Sequence, residues 1–354
     1  MRAPVLHGKR LMSYDEVPEP GDPGLGEVLL SVGLCGICGS DLHLFDSDMA
    51  DLQAAGGGIV LGHEFGATVL ATGKGVEGWE AGDRVVATMP EPCMNCTFCR
   101  RGQTDLCYQH HRIDMERAGI QRTGSLGGGG YGPMIKTLAT RLLRIPDVLD
   151  DRQAACVEPA AVGFHAVRNA GMRFGDRVAV LGAGPIGLFT LQCALAAGAA
   201  RVVVVEPVAA RASVATRLGA SAIIDPRSGG DTPAAVAAAL GGAPDVVFDA
   251  AGVPATLQAA VDIVKPNGQV MMVGVAFNNA PIRPSSWVTK RVSLRAAFAY
   301  SRADYRATIE LMSQGRIRVE ELVSSVVPAS RTHEVFERLL GPNSEIKVLI
   351  DPHA

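Results

Sequence analysis

The chain has 354 residues, 47% of them hydrophobic and 19% charged, which fits about two domains with real cores. Its 33 basic residues against 36 acidic ones leave a net charge of −3, with no basic block and no acidic tail. Electrostatics therefore give no reason to expect nucleic acid or a membrane as partner. Met1–Leu11 carries no apolar run of signal-peptide length, so a cytoplasmic location is expected.

Along the first 150 residues, Glu27–Val32, Ala67–Ala71 and Arg84–Ala87 read as short strands between glycine turns. Helical periodicity is scarce there, and a compact, mostly β domain is expected. Two pieces carry ligand-type side chains, Gly36-Ile-Cys38-Gly-Ser40-Asp41-Leu-His43 and Gly62-His63-Glu64. Each alone is a weak signal. Cys93-Met-Asn-Cys96-Thr-Phe-Cys99, followed after seven residues by Cys107, is the most specific pattern in the chain. Four thiolates so close in sequence suit a tetrahedral zinc with no open position, which is a structural site. In zinc-finger peptides such binding is worth roughly 10–16 kcal/mol. An iron–sulfur cluster is the alternative. With Cys35, Cys38, Cys156 and Cys193 the cysteines number eight, and in a long chain without a leader they point to metal rather than disulfides. The run Gly124–Gly132 is expected to be a mobile surface loop, not a phosphate cradle, because no clear helix follows it.

From Gln153 strands and helices alternate: Arg177–Leu181, a helix to Ala197, Arg201–Val205, a helix Ala209–Leu218, Ala222–Ile224, Asp245–Ala250, a helix Ala255–Val264, and Gly268–Val275. The alternation predicts a parallel sheet with helices on both faces, and the Val-rich strands are apolar on both sides, as buried parallel strands are. Val178–Ala200 is 23 residues without a charge, long enough to span a bilayer. Gly182, Gly184, Pro185 and Gly187 interrupt it, so strand–turn–helix is the better reading. After Val292 come one more strand, an amphipathic helix Ala303–Gln314, a helix near Thr332–Leu340 and a last strand Lys347–Ile350. This tail is expected to pack back on one of the two domains.

Gly182-Ala-Gly184-Pro185-Ile186-Gly187 follows a strand and opens a helix, and Glu206 stands 19 residues beyond Gly187 at the end of the next strand. The three glycines suit the turn, the approach of a pyrophosphate and close helix–strand packing. The helix N-terminus offers its free N–H groups to the phosphates. Glu206 would accept hydrogen bonds from a ribose diol and repel a 2′-phosphate, which favours NAD over NADP. Arg211 either covers the adenine or contacts a phosphate, or is a solvated helix residue.

Taken together, these motifs resemble the zinc-containing medium-chain alcohol dehydrogenases over essentially the whole chain, and within them the sorbitol, butanediol and threonine dehydrogenase branch. The resemblance implies an α/β protein: a GroES-like, mostly β catalytic domain (residues 1–153 and 296–354) and a Rossmann doubly wound parallel-sheet domain (154–295). It implies two zinc ions and NAD, a small alcohol or ketone substrate, and a homodimer or homotetramer. Cys38 and His63 would bind the catalytic zinc with Glu64 beside or on it, and Asp41 would orient His63. Ser40 would contact the substrate oxygen, and His43 would pass the proton to solvent. Alcohol dehydrogenases as a class use a Cys₂His set; in Cys156-Val-Glu158-Pro159 the polyol branch points to Glu158, not Cys156, as third ligand. The zinc would acidify a bound secondary alcohol or polyol, and hydride would pass to the nicotinamide. An NADPH-dependent reductase of the same fold, or a nucleotide-binding protein keeping zinc only as a staple, are the rival readings. Ala299, where sorbitol dehydrogenases tend to carry an Arg, favours a smaller or more apolar secondary alcohol over a long sugar alcohol.

Overall fold

The structure, a computed structural model, describes residues 1–54, 57–88, 93–107 and 129–354. Its strands begin with β1 (Arg2–Gly8), β2 (Leu11–Glu16), β3 (Glu27–Gly36), β4 (Glu64–Thr72), β5 (Arg84–Ala87), β6 (Met134–Leu138) and β7 (Leu142–Arg144). They continue with β8 (Arg177–Leu181), β9 (Arg201–Val205), β10 (Ala222–Ile224), β11 (Val246–Asp249), β12 (Gln269–Met272) and β13 (Ser293–Ala296), and end with β14 (Val323–Pro328) and β15 (Lys347–Asp351). The chain divides into two compact units. One comprises Met1–Glu158, Ser301–Ile309 and Val323–Ala354; the other comprises Pro159–Tyr300 and Glu310–Leu322. The C-terminal tail is thus shared between the units, where it was expected to join one, because the division falls inside the helix Arg302–Ser313.

In the first unit β1 and β2 form an antiparallel hairpin, and seven strands run in the order β14-β15-β3-β4-β5-β7, with β6 also on β3. Val28, Leu30 and Val32 of β3 are buried in alternation, the period-two signature of a strand with one core face. β3 pairs antiparallel with both β4 and β15, with Gly36 opposite Glu64 on one side and Leu349 on the other. The end of β3, the start of β4 and the middle of β15 therefore meet around residues 36–38. The helix Gly39–Phe45 follows at once: Cys38 is its N-cap, and the Asp41 side chain accepts the Cys38 N–H, a capping-box arrangement.

The second unit holds a six-stranded sheet in the order β10-β9-β8-β11-β12-β13, every pair parallel. Val178–Leu181, Val202–Val205 and Val246–Phe248 are buried, so the strands read as unbroken apolar runs. Strand order reverses between β8 and β11, and in open α/β sheets ligands bind beyond the carboxyl ends of the strands at such a switch point. The uncharged stretch 178–200 is β8 plus the helix Pro185–Ala196. Among the described residues no helix is long and apolar enough to cross a membrane.

Candidate functional site

The four-cysteine segment folds as spacing demands. Cys96 caps the helix Thr97–Arg100 by accepting the Cys99 N–H, Cys93 Sγ accepts the Cys96 N–H at 3.3 Å, and Cys107 Sγ accepts the Cys93 N–H at 3.3 Å. The sulfurs of Cys93, Cys96, Cys99 and Cys107 all lie within 4.8 Å of one another, and Cys93 Sγ is 3.9 Å from Cys99 Sγ. Four sulfurs tetrahedral about one ion at 2.3 Å would be about 3.8 Å apart. Burial, with hydrogen bonds from Cys96 and Cys107, pushes the Cys99 thiol up to about 12. The cluster therefore resists charging on its own and suits a dication that pays the charge of its thiolates. None of the eight cysteines is in a disulfide.

A second group joins Cys38, His63 and Glu64, with one ligand atom from each within 4.8 Å of the others. Cys38 lies two residues past β3, His63 immediately before β4, and Glu64 is its first residue. Asp41 is buried; its Oδ1 faces His63 Nδ1 at 3.6 Å, and its Oδ2 accepts from Cys38 N at 3.0 Å and from the Tyr131 hydroxyl at 2.7 Å. Burial opposes the charge on both members. The Asp41 carboxylate and the Cys38 sulfur nonetheless hold the His63 imidazole well above its ordinary range, and His63, Tyr131 and the Cys38 N–H hold Asp41 below the usual carboxylate range. The buried Asp41 carboxylate and the Cys38 sulfur thus place negative charge beside the His63 ring. With Nδ1 turned to Asp41, Nε2 is the nitrogen left for a metal. Thiolate, imidazole and carboxylate form a donor set that suits zinc.

Glu64 has a partner that the sequence did not suggest. Lys347, the first residue of β15, donates to Glu64 Oε2 at 2.5 Å and to the Ile37 carbonyl at 2.9 Å, and both side chains are only 2% exposed. Its signal was a lone lysine opening an apolar strand, a charge that must find a buried partner. Ser40 and His43 are exposed and one turn apart on the helix Gly39–Phe45, whereas Asp41, Leu44 and Phe45 are buried. Glu158 is buried at the start of the helix Val157–Asn169 and is not one of the residues whose ligand atoms meet with Cys38, His63 and Glu64. Of the glycine run expected to be a mobile surface loop, 124–128 lie outside the described residues. Gly129–Gly132 contradict that expectation: they are buried, with Gly130 N donating to Gly62 O and Tyr131 N to Leu61 O, both at 2.9 Å. Tyr131, missed because it stood inside that run, packs edge-on against Phe336.

In the second unit the glycine loop leaves β8 with Gly182 at φ +92°, and a Cβ on Gly187 would lie 2.0 Å from the Gly182 carbonyl. The turn is closed to any larger residue there. A Cβ on Gly184 would meet nothing within 4 Å, so that glycine leaves its backbone open for a ligand to approach. Pro185 and Ile186 open the helix Pro185–Ala196. Glu206 is buried beside the loop; its carboxylate accepts from Ala183 N at 2.6 Å and from Val208 N at 2.7 Å. Arg211 is half-buried in the first turn of the helix Ala209–Arg217. Arg227, not singled out by sequence, donates to the carbonyl of Pro207, the residue after Glu206.

Ala299 occupies the left-handed region at φ +56°, between the exposed Phe298 and the buried Tyr300.

Known proteins match both units. Residues 24–147 match the family described as alcohol dehydrogenase GroES-like domain, and residues 185–314 the family described as zinc-binding dehydrogenase. The (R,R)-butanediol dehydrogenase of Bacillus subtilis (strain 168) is 32% identical over 363 residues, covering 100% of both chains. The sorbitol dehydrogenase of Bombyx mori is 29% identical over 352 residues, covering 98% of this chain and 97% of its own. A zinc-binding dehydrogenase of Sinorhizobium meliloti 1021, solved bound to NADP, superposes with a TM-score of 0.83 at 29% identity, covering 99% of each chain. The GroES-like and Rossmann-like folds, the glycine loop at the switch point and relatives spanning the full chain agree: this chain belongs to the zinc-containing medium-chain alcohol dehydrogenases, oxidoreductases that act on alcohols or polyols with zinc and a nicotinamide cofactor.

Proposed function

We propose that the protein oxidises a small secondary alcohol or vicinal diol to the ketone with NAD as hydride acceptor, in the cytoplasm. The observation that carries this reading is the convergence of Cys38, His63 and Glu64 within 4.8 Å, beside the buried Asp41 carboxylate. A zinc ion held by these residues would act as a Lewis acid on the alcohol oxygen. Lys347 balances the charge of Glu64, so among these side chains the Cys38 thiolate is the anion left to the metal, and its electrophilic character is kept. Glu158 is the further carboxylate that the family resemblance assigns to this metal. Ser40 and His43, exposed one turn apart, are suited to move the alcohol proton outward in two short steps. Cys93, Cys96, Cys99 and Cys107 hold a second, structural zinc.

Gly182, Gly184, Pro185, Ile186 and Gly187 would receive the pyrophosphate, with Arg211 beside the adenosine. Glu206 supports NAD over NADP: it is buried, tied to the glycine loop, and its remaining lone pairs are available to ribose hydroxyls, whereas a 2′-phosphate would meet its charge. A homodimer or homotetramer is supported by β13, which ends its sheet and is exposed along its whole length, and by Val288 of the preceding helix at 74% exposure. An open, partly apolar edge calls for cover.

The test follows NADH absorbance over a panel of secondary alcohols, vicinal diols and sugar alcohols with NAD and NADP, alongside zinc counting. Two zincs per chain and best turnover of a small alcohol or diol with NAD are expected. A preference for NADP, or no oxidation of any alcohol by zinc-replete protein, would overturn the reading.

A further inference from the structure

We propose that Tyr131 is a positioning residue for the metal held by Cys38 and His63, locking the Asp41 carboxylate with its hydroxyl and the approach to His63 with its backbone. This rests on the reading of Cys38, His63 and Glu64 as a metal site. Two donors converge on Asp41 Oδ2, the Tyr131 hydroxyl at 2.7 Å and the Cys38 N–H at 3.0 Å. Together they fix the rotation of the carboxylate and leave Oδ1 facing His63 Nδ1 at 3.6 Å. That gap is longer than a hydrogen bond, so the aim of the carboxylate depends on what grips its other oxygen.

The same tyrosine reaches the second ligand segment through its backbone. Tyr131 N donates to Leu61 O and Gly130 N to Gly62 O, both at 2.9 Å. A Cβ on Gly62, which stands at φ +101°, would lie 2.7 Å from the Tyr131 ring. The ring is therefore seated against the turn that delivers His63. Behind it, Phe336 meets the ring edge-on at 6.0 Å and meets Phe45 at 5.3 Å. Phe45 ends the helix that carries Ser40, Asp41 and His43. Tyr131 thus staples the Cys38–Asp41 segment to the Gly62–Glu64 segment. Its ring and its hydroxyl are separable contributions: phenylalanine would keep the packing but leave the buried Asp41 Oδ2 with one donor where it has two.

Removing an outer partner of a metal ligand weakens metal binding about 10–100-fold. The experiment uses purified zinc-loaded protein: wild type, Tyr131→Phe, Asp41→Asn and the double variant. It times zinc release to a chelator and records the visible spectrum after cobalt replacement. The Tyr131→Phe change is expected to speed release of the Cys38–His63 metal about tenfold and to shift its cobalt band. Release from the four-cysteine site should stay unchanged, and Tyr131→Phe should add nothing once Asp41 is Asn. Wild-type release rates in Tyr131→Phe, equal acceleration at both sites, or an undiminished effect in the Asp41→Asn background would each overturn the positioning role while the metal reading stood. A wild type that releases a single zinc, unaltered by Cys38→Ser, would overturn the metal reading itself, and the proposal with it.

Discussion

Replacing Lys347 by Met isolates the cost of the buried ion pair beneath the candidate metal site. Methionine fills a similar volume, so the packing around β15 survives, but Glu64 loses the ammonium at 2.5 Å while staying almost wholly out of water. Stranding one member of a buried pair costs about 3–5 kcal/mol. For a unit of this size each kcal/mol lowers Tm by about 2–4 °C, so a fall of roughly 6–20 °C is expected. The melt is followed by circular dichroism after identical chelator treatment of both proteins, so that no metal can stand in for the ammonium. The pair Lys347→Met with Glu64→Gln should recover most of the loss, because no charge is then left in the interior. A single variant melting within about 2 °C of wild type, or a double variant no better than the single, would refute the reasoning.

Glu158→Ala should lose catalytic zinc or most of kcat, while Cys156→Ser keeps metal and activity; metal counting with initial rates checks this, and the reverse pattern would assign the third ligand to Cys156. Glu206→Gln preserves an acceptor for Ala183 N but removes the charge that a 2′-phosphate would meet; Arg227, held on the Pro207 carbonyl and ion-paired with Asp225, is the cation tested beside it. Discrimination between NAD and NADP in kcat/KM should fall at least tenfold, and Arg227→Ala in that background should take back part of the gain with NADP (about 1.4 kcal/mol per tenfold). In the second unit burial raises the Asp245 carboxyl, but Lys265 and the Arg177 N–H more than offset this and leave it below the usual carboxylate range. A depressed folded-state value stabilises above the unfolded value of about 3.9 and is lost below it. Asp245→Asn should therefore cost about 1–2 kcal/mol at neutral pH, with the gap to wild type closing below about pH 4 in urea titrations.

Legibility followed the range of the interactions. Strands β8, β9 and β11 and the loop at Gly182–Gly187 were readable because a parallel strand buried on both faces is a run of valines, and because a dinucleotide turn is local. The four-cysteine cluster was readable for the same reason: its ligands span only Cys93 to Cys107. The hairpin β1–β2 and the strands β6 and β7 were not singled out. Each is short and takes its partner's register from the sheet, so the sequence carries little period of its own. The helix Gly39–Phe45 is only seven residues long, too short for a 3.6-residue period to appear. In the candidate metal site, the ligand types near Cys38 and His63 were visible, but their meeting was implied only by resemblance. Tyr131 and Lys347 were invisible because their roles depend on partners 90 and 283 positions away. Gly129–Gly132 misled, since glycine-rich composition suggests mobility, whereas here the small residues let the backbone run close beside Leu61 and Gly62.

The position of Lys347 also orders events during synthesis. Glu64 waits 283 residues for its ammonium, roughly 15–60 s at ordinary rates of translation. In that interval the whole stretch Pro159–Tyr300 emerges and can complete its own parallel sheet. The nascent N-terminal sheet meanwhile lacks both the strand that pairs with Cys35 and Gly36 and the cation that neutralises Glu64. A ribosome that stalls before β15 leaves a chain whose second unit can close its sheet while Glu64 still has no ammonium beside it.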